Sequence, residues 1–186
     1  GANRAESADN LVMGVGNTAS NVQHLTAIGS KNTVSDAKNT VIVGDNRKVT
    51  GANNSVIIGS SDAETTTTVN DAVAIGHNTE VSVECGVALG SKSKATVAAG
   101  AAGYDISTKA ASTDTSSTWK ATASAVSVGD VANDVTRQIT SVAAGTNDTD
   151  AVNVAQLKKV ETKISSVEAD AKKHTTVVAG DNTTVT

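Results

Sequence analysis

A six-residue phrase recurs along the chain: polar residue, small residue, aliphatic, any residue, aliphatic, glycine. It reads DNLVMG to Gly14, HLTAIG to Gly29, NTVIVG to Gly44, NSVIIG to Gly59, DAVAIG to Gly76 and CGVALG to Gly90, with a seventh copy, SAVSVG, ending at Gly129. The first six glycines stand 15, 15, 15, 17 and 14 residues apart. Self-similarity at that period marks a solenoid, in which one coil cannot bury its apolar face alone and must stack on its neighbours. Such an array offers a long surface rather than an enclosed pocket, which points to a binding or structural protein.

Within each phrase the aliphatics sit at i and i+2, as in Val41 and Val43 or Val73 and Ile75, so a strand would turn both to one face and the intervening residue to the other. The β-branched excess favours strand over helix. A second, weaker strand follows each glycine turn, beginning near Asn17, Asn32, Asn46, Asn78 and Ser93, where Asn and Ser supply turn chemistry. Each coil is therefore two short strands and two turns. The coil holding SDAETTTT (Ser61–Thr68) is longer, and the sequence predicts a protruding loop there.

Composition limits what such coils can do alone. The chain has 186 residues with no Pro, no Phe, one Trp and one Tyr, so its core must come from Val, Ile, Leu and Ala. Burying one of the larger aliphatics contributes roughly 1.5–3 kcal/mol and Ala much less. That leaves little surplus over chain entropy in a thin roll, and association of identical copies is expected. A net charge of −4 without charge blocks argues against nucleic acid or a polybasic membrane patch. No leader and no run of about 18 apolar residues is read here, so the chain is expected to be cytosolic or a segment of a longer secreted protein.

Chemistry is sparse. The lone Cys85 is read as a small core residue, and no Cys/His pair has metal-ligand spacing, so neither cofactor nor metal is expected. His24 and His77 read as solvated turn residues, and Asp45, Asp62, Asp71 and Asp130 as turn formers. After Gly90 the rhythm lapses until SAVSVG, which predicts an insert over about 101–123 carrying the only aromatics, Tyr104 and Trp119. Further on, Leu157, Val160, Ile164, Val167, Ala171 and His174 recur at spacings of 3, 4, 3, 4 and 3, an a/d seam with Lys158, Lys159, Glu161, Lys163, Glu168 and Asp170 outside it.

The series of NSVIIG and DAVAIG coils, followed by TRQITSVAAGTNDTDAVNVAQL (Thr136–Leu157) and an immediate heptad, resembles the trimeric autotransporter adhesins with a YadA-like head and neck. The resemblance implies a mainly β chain: a left-handed parallel β-roll head over 1–129, a neck over 130–156, a three-stranded parallel coiled coil over 157–174 and the start of a further module over 175–186. It implies a homotrimer in which the aliphatics Val56, Ile58, Val73, Ile75, Val87 and Leu89 meet at the trimer axis or fill the roll, with Leu157, Val160, Ile164 and Val167 in the coiled-coil core. It implies display on a bacterial surface, anchored in the outer membrane by a C-terminal barrel outside this chain. The role implied is non-catalytic attachment to a host matrix protein, a host cell receptor or another bacterium. Residues expected to face a ligand are Asn54, Ser55, Glu64, Thr65, Thr66, Tyr104 and Trp119. Two other readings start from the same coils. A left-handed solenoid acyltransferase would need a catalytic His at a cleft and a six-residue repeat. An ice-binding solenoid would need Thr65–Thr68 in register on one flat face.

Overall fold

The computed structural model describes the backbone of residues 4–6 and all of residues 9–173; His174 of the seam and the module expected over 175–186 lie outside the described residues. The chain forms two compact units, Gly1–Arg137 and Gln138–Thr186. Residues 130–137, expected in the neck, thus belong to the first unit.

The first unit is a β-solenoid of about six turns. Its strands run β1 (Arg4–Glu6), β2 (Leu11–Val15), β3 (Thr18–Ser20), β4 (Thr26–Ser30), β5 (Thr33–Ser35), β6 (Val41–Val43), β7 (Arg47–Thr50) and β8 (Val56–Ile58). They continue with β9 (Thr65–Thr67), β10 (Val73–Ile75), β11 (Glu80–Val81), β12 (Val87–Leu89), β13 (Lys94–Ala95), β14 (Tyr104–Asp105), β15 (Ala110–Ala111) and β16 (Val126–Ser127). The phrase strands make one parallel sheet in the order β16-β12-β10-β8-β6-β4-β2. The strands after each glycine make the facing layer, β1-β3-β5-β7-β9, with β11-β13 pairing separately. Because β16 pairs with β12, the chain between them leaves the solenoid and returns to it.

Register puts equivalent residues of successive coils on top of one another. The middle residue of each phrase points inward, giving the column Val12, Ala27, Ile42, Ile57, Ala74 and Ala88. Opposite it stand Ala19, Val34 and Val49, continued by Val81 and Ala95. Val22, Ala37 and Ala52 close the third side, with Leu25 wedged beside them. These columns of Val, Ile, Leu and Ala fill a narrow interior without an aromatic ring.

Two local rules make the coils turn. The first residue of each of the first six phrases (Asp9, His24, Asn39, Asn54, Asp71, Cys85) is left-handed, with φ between 52° and 62°. Asn and Asp tolerate that region best, which explains why they dominate the position. Cys85 takes the same corner and is exposed, so the expectation that it fills the core is corrected: a corner Cβ points out, not in. The phrase glycines also stack closely. A Cβ on Gly29, at φ +137°, would lie 1.9 Å from the Gly44 carbonyl oxygen.

Thr65–Thr67 is strand β9, paired with Arg47–Val49, and Ser61 is buried, so the expected protrusion shrinks to residues 62–64. The three additional residues of this coil are expelled before β9, and Thr67 regains an inward position.

In the second unit, α1 (Val154–Lys173) follows a stretch with no strand or helix.

Candidate functional site

A polar spine runs inside the first unit. Asn17 Nδ2 donates to the Gly29 carbonyl at 2.7 Å, and Asn32 Nδ2 repeats the contact on Gly44 at 2.7 Å while also reaching Asn17 Oδ1 at 3.0 Å. The next rung is Arg47, 2% exposed, whose Nε donates to Gly59 O at 2.7 Å. Its guanidinium continues to Gly76 O at 3.1 Å and Thr79 O at 2.8 Å. The reason lies in the long coil: where residues 62–64 leave the interior, a side chain of this reach spans the missing rung. Burial pushes the guanidinium pKa down from its ordinary value. The spine ends at Ser93, whose Oγ accepts from Arg137. Arg137 also donates to the carbonyls of Val128 and Ser91, so one guanidinium seals the end of the roll.

Outside, the i and i+2 residues of the phrases form two apolar columns. One column is Met13, Ile28, Val43, Ile58, Ile75 and Leu89, each between 37% and 51% exposed. The other holds Leu11, Val41, Val56, Val73 and Val87, interrupted by Thr26. Val56, Ile58, Val73, Ile75, Val87 and Leu89 therefore stand on the outer face of the sheet; the residues between them fill the roll. At about 4.8 Å per strand the stripe extends over about 25 Å. Rows of large aliphatics in contiguous solvent contact are what interaction surfaces expose.

The remaining expected surface residues scatter. Thr66 faces outward beside Lys48, and Glu64 pairs with Lys48 at 3.3 Å. Thr65 aligns with Arg47 and is half-buried. Asn54 is exposed at its left-handed corner, accepting from Asn39 Nδ2 at 3.0 Å. Ser55 is corrected: it is fully buried, its Oγ donating to Asn53 O at 3.1 Å and accepting from Ala72 N at 3.2 Å, because it follows the corner and turns inward. Tyr104, 65% exposed, opens the hairpin β14–β15, and Trp119 lies against Gly103. The structure does not gather these residues into one place.

The histidines and acidic turn residues make local contacts. His77 Nε2 meets Asp62 Oδ1 at 3.2 Å on an exposed turn, and His24 Nδ1 meets Asn39 Oδ1 at 3.1 Å on another. Asp62 has its pKa held down by the hydrogen bond from Asn78, then by the His77 charge. Asp45 accepts from Ser30 N at 2.6 Å, and Asp71 occupies a corner. Lys94 bridges Glu80 at 3.3 Å and Asp130 at 3.6 Å, and its pKa rises chiefly through Glu80. No group of three metal-ligating side chains occurs among the described residues. The outward column containing Thr66 carries Lys48 and Thr33, so a uniform threonine rank is absent there, although Ser20, Ser35 and Thr50 do stack in the next column.

In the second unit, Asn153 caps α1: its Oδ1 accepts from Gln156 N at 3.1 Å, and Gln156 Oε1 accepts from Asn153 N at 3.2 Å. This reciprocal pair is a capping box. Gln156 reaches further, exchanging hydrogen bonds with both Gly145 N and Gly145 O, while Asn153 Nδ2 holds Val142 O. Four seam residues, Leu157, Val160, Ile164 and Val167, are each at least 53% exposed. No helix among the described residues is long and apolar enough to cross a membrane.

Arg47, Arg137, Asn153 and Gln156 escaped the reading of the sequence. Arg47 was detectable: it stands three residues past its glycine, where the two preceding coils carry Asn.

The family model described as the coiled stalk of trimeric autotransporter adhesin matches residues 138–182. The autotransporter adhesin BadA of Bartonella henselae is 56% identical over 79 residues, covering 42% of this chain and 3% of that protein. The trimeric autotransporter adhesin AtaA of Acinetobacter sp. (strain Tol 5) is 49% identical over 78 residues, covering 41% of this chain and 2% of its own length. The matches thus span only a few hundredths of these relatives.

Proposed function

We propose that this relative of the trimeric autotransporter adhesins is a piece of a bacterial surface adhesin that works by non-catalytic, multivalent attachment. Three copies of the roll, left-handed as in the family, associate along their aliphatic stripes, and three α1 helices associate along their seams as a parallel coiled coil. The protein that contains this chain is displayed at the cell surface and anchored in the outer membrane. Its targets are a host matrix protein, a host cell receptor or another bacterium.

The observation that carries this reading is the outward stripe. A roll that stands alone has no use for two large aliphatics per coil on a solvent face, since the interior is already filled by the residues between them. Burying each further side chain against another copy adds part of the roughly 1.5–3 kcal/mol that a full burial contributes. The exposed α1 seam makes the same demand independently. Association also multiplies weak surface contacts, because three linked copies raise avidity without any tight single site. Contacts to a target fall to the polar outer faces, the 62–64 turn and the insert with Tyr104 and Trp119, where loops project from a rigid scaffold.

Sedimentation equilibrium of the 186-residue chain tests the assembly, with a trimer expected; a stably folded monomer would overturn it. Binding of that trimer to immobilised matrix proteins, host cells and bacterial cells tests attachment. Absence of binding to all three would remove the adhesive role.

A further inference from the structure

The α1 seam fixes which helix faces meet but leaves their alignment open, because a short run of Leu, Val, Ile and Val tolerates a slip of one heptad. Charges beside the seam can choose. With Leu157 and Ile164 at a and Val160 and Val167 at d, the g positions are Gln156, Lys163 and Asp170, and the e positions are Glu161 and Glu168. Gln156 is committed to Asn153 and Gly145. Asp170 pairs with Lys173 at 3.0 Å within its own helix. Lys163 and Glu168 have no ion-pair partner among the described residues, and both stand on the exposed surface of the helix.

We infer that Lys163 of one copy pairs with Glu168 of the next, and that this pair selects parallel, in-register association of identical helices; the inference rests on the association proposed above. In a parallel coiled coil g faces the e position five residues later in the neighbour. In register, the facing pairs are Gln156 with Glu161 and Lys163 with Glu168: one attraction and no repulsion. Slipped by a heptad one way, Lys163 meets Glu161 while Asp170 meets Glu168, so the attraction is offset by a repulsion. Slipped the other way, no charged pair remains and a layer of the seam is lost. An antiparallel arrangement turns e toward e, glutamate against glutamate. Only the parallel, aligned state keeps its attraction uncontested, three times around the axis.

The test uses the full chain with Cys85→Ala and a reporter, Val160→Cys, which oxidises to a disulfide between copies only when equivalent d positions meet. Cross-linking is expected at low ionic strength. Adding Lys163→Glu should lower its yield roughly two- to fivefold per pair, and adding Glu168→Lys to that variant should restore it. Molar salt should erase these differences, because screening acts within about 3 Å there. Unchanged cross-linking in Lys163→Glu, or failure of the double reversal to restore it, would overturn the pairing. A separate variant, Ile164→Lys, distinguishes the layers of the argument by sedimentation. If the parent chain is a trimer and Ile164→Lys weakens it while the charge variants do nothing, only the ion pair falls. If the parent chain is a monomer, the association reading falls and the pairing with it.

Discussion

Arg47 hydrogen-bonds Thr79 across 32 residues of sequence, donating to its carbonyl at 2.8 Å and to its Oγ1 at 3.2 Å. The contact crosses the one coil that is longer than its neighbours. A cation in the interior is held there by the neutral carbonyl oxygens of Gly59, Gly76 and Thr79, of which that of Gly76 also accepts from Thr79 Oγ1 at 2.9 Å.

Removing that donor should be costly. Arg47→Ala takes the donor from the carbonyls of Gly59 and Thr79 and opens a cavity, so a loss of about 2–4 kcal/mol is expected. Arg47→Lys should be intermediate, since an ammonium lacks the planar fork that serves Gly59 and Thr79 together. Urea unfolding at fixed protein concentration measures both; equal stability of Arg47→Ala and the parent chain would contradict the bridging role.

Adjacent residues on β8 should respond oppositely. Ile57 is inside and Ile58 is outside, 1% against 40% exposed. Ile57→Asp buries a charge and should abolish the fold by circular dichroism. Ile58→Asp should leave the strand content of the folded roll in place but weaken association in sedimentation. If both variants unfold the chain equally, or both are silent, the assignment of faces is wrong.

The stacked glycines provide a sharper contrast. Gly29→Ala places its Cβ against the Gly44 carbonyl, whereas Gly51, at φ +68°, has nothing within 4 Å of its hypothetical Cβ. Gly51→Ala should cost about 1–2 kcal/mol, the price of a left-handed L-residue. Gly29→Ala should cost several times more and broaden or abolish the thermal transition.

Acid should loosen turns before it reaches the core. Asp150 accepts the backbone N–H groups of Asn147 and Thr146, and the first of these does most to hold its pKa down. A depressed carboxyl contributes fully above its unfolded pKa of about 3.9 and loses that contribution as pH falls through its lower folded value. Amide exchange at Thr146 and Asn147, corrected for its intrinsic pH dependence, should therefore hold steady from pH 7 to pH 5 and lose protection below pH 4. Asp150→Asn should show weakened protection throughout that range.

Much of the architecture was legible because the glycine phrase encodes it locally. Strand, turn and stacking period follow from alternation and from glycine spacing, and the seam from its 3–4 spacing. What misled was the phrase itself. With aliphatics at three consecutive positions, as in Val56–Ile58, alternation separates two faces without saying which one is inside. Ser55 and Cys85 were misplaced for a related reason: Cys85 occupies a left-handed corner and Ser55 follows one, and the direction of a side chain there depends on the corner's φ rather than on polarity.

The sequence alone determined that the chain is wound from stacked coils, that it leaves them for an insert and returns, and that a helix with one apolar seam follows. These are properties of neighbouring residues and their spacing. Tertiary structure decided which aliphatic column fills the roll and which is left outside, and that Arg47 and Arg137 complete a spine begun by asparagines. Those outcomes depend on groups brought together from different coils: an interior already filled by the middle residues of the phrases, and carbonyls that take a donor from far along the chain.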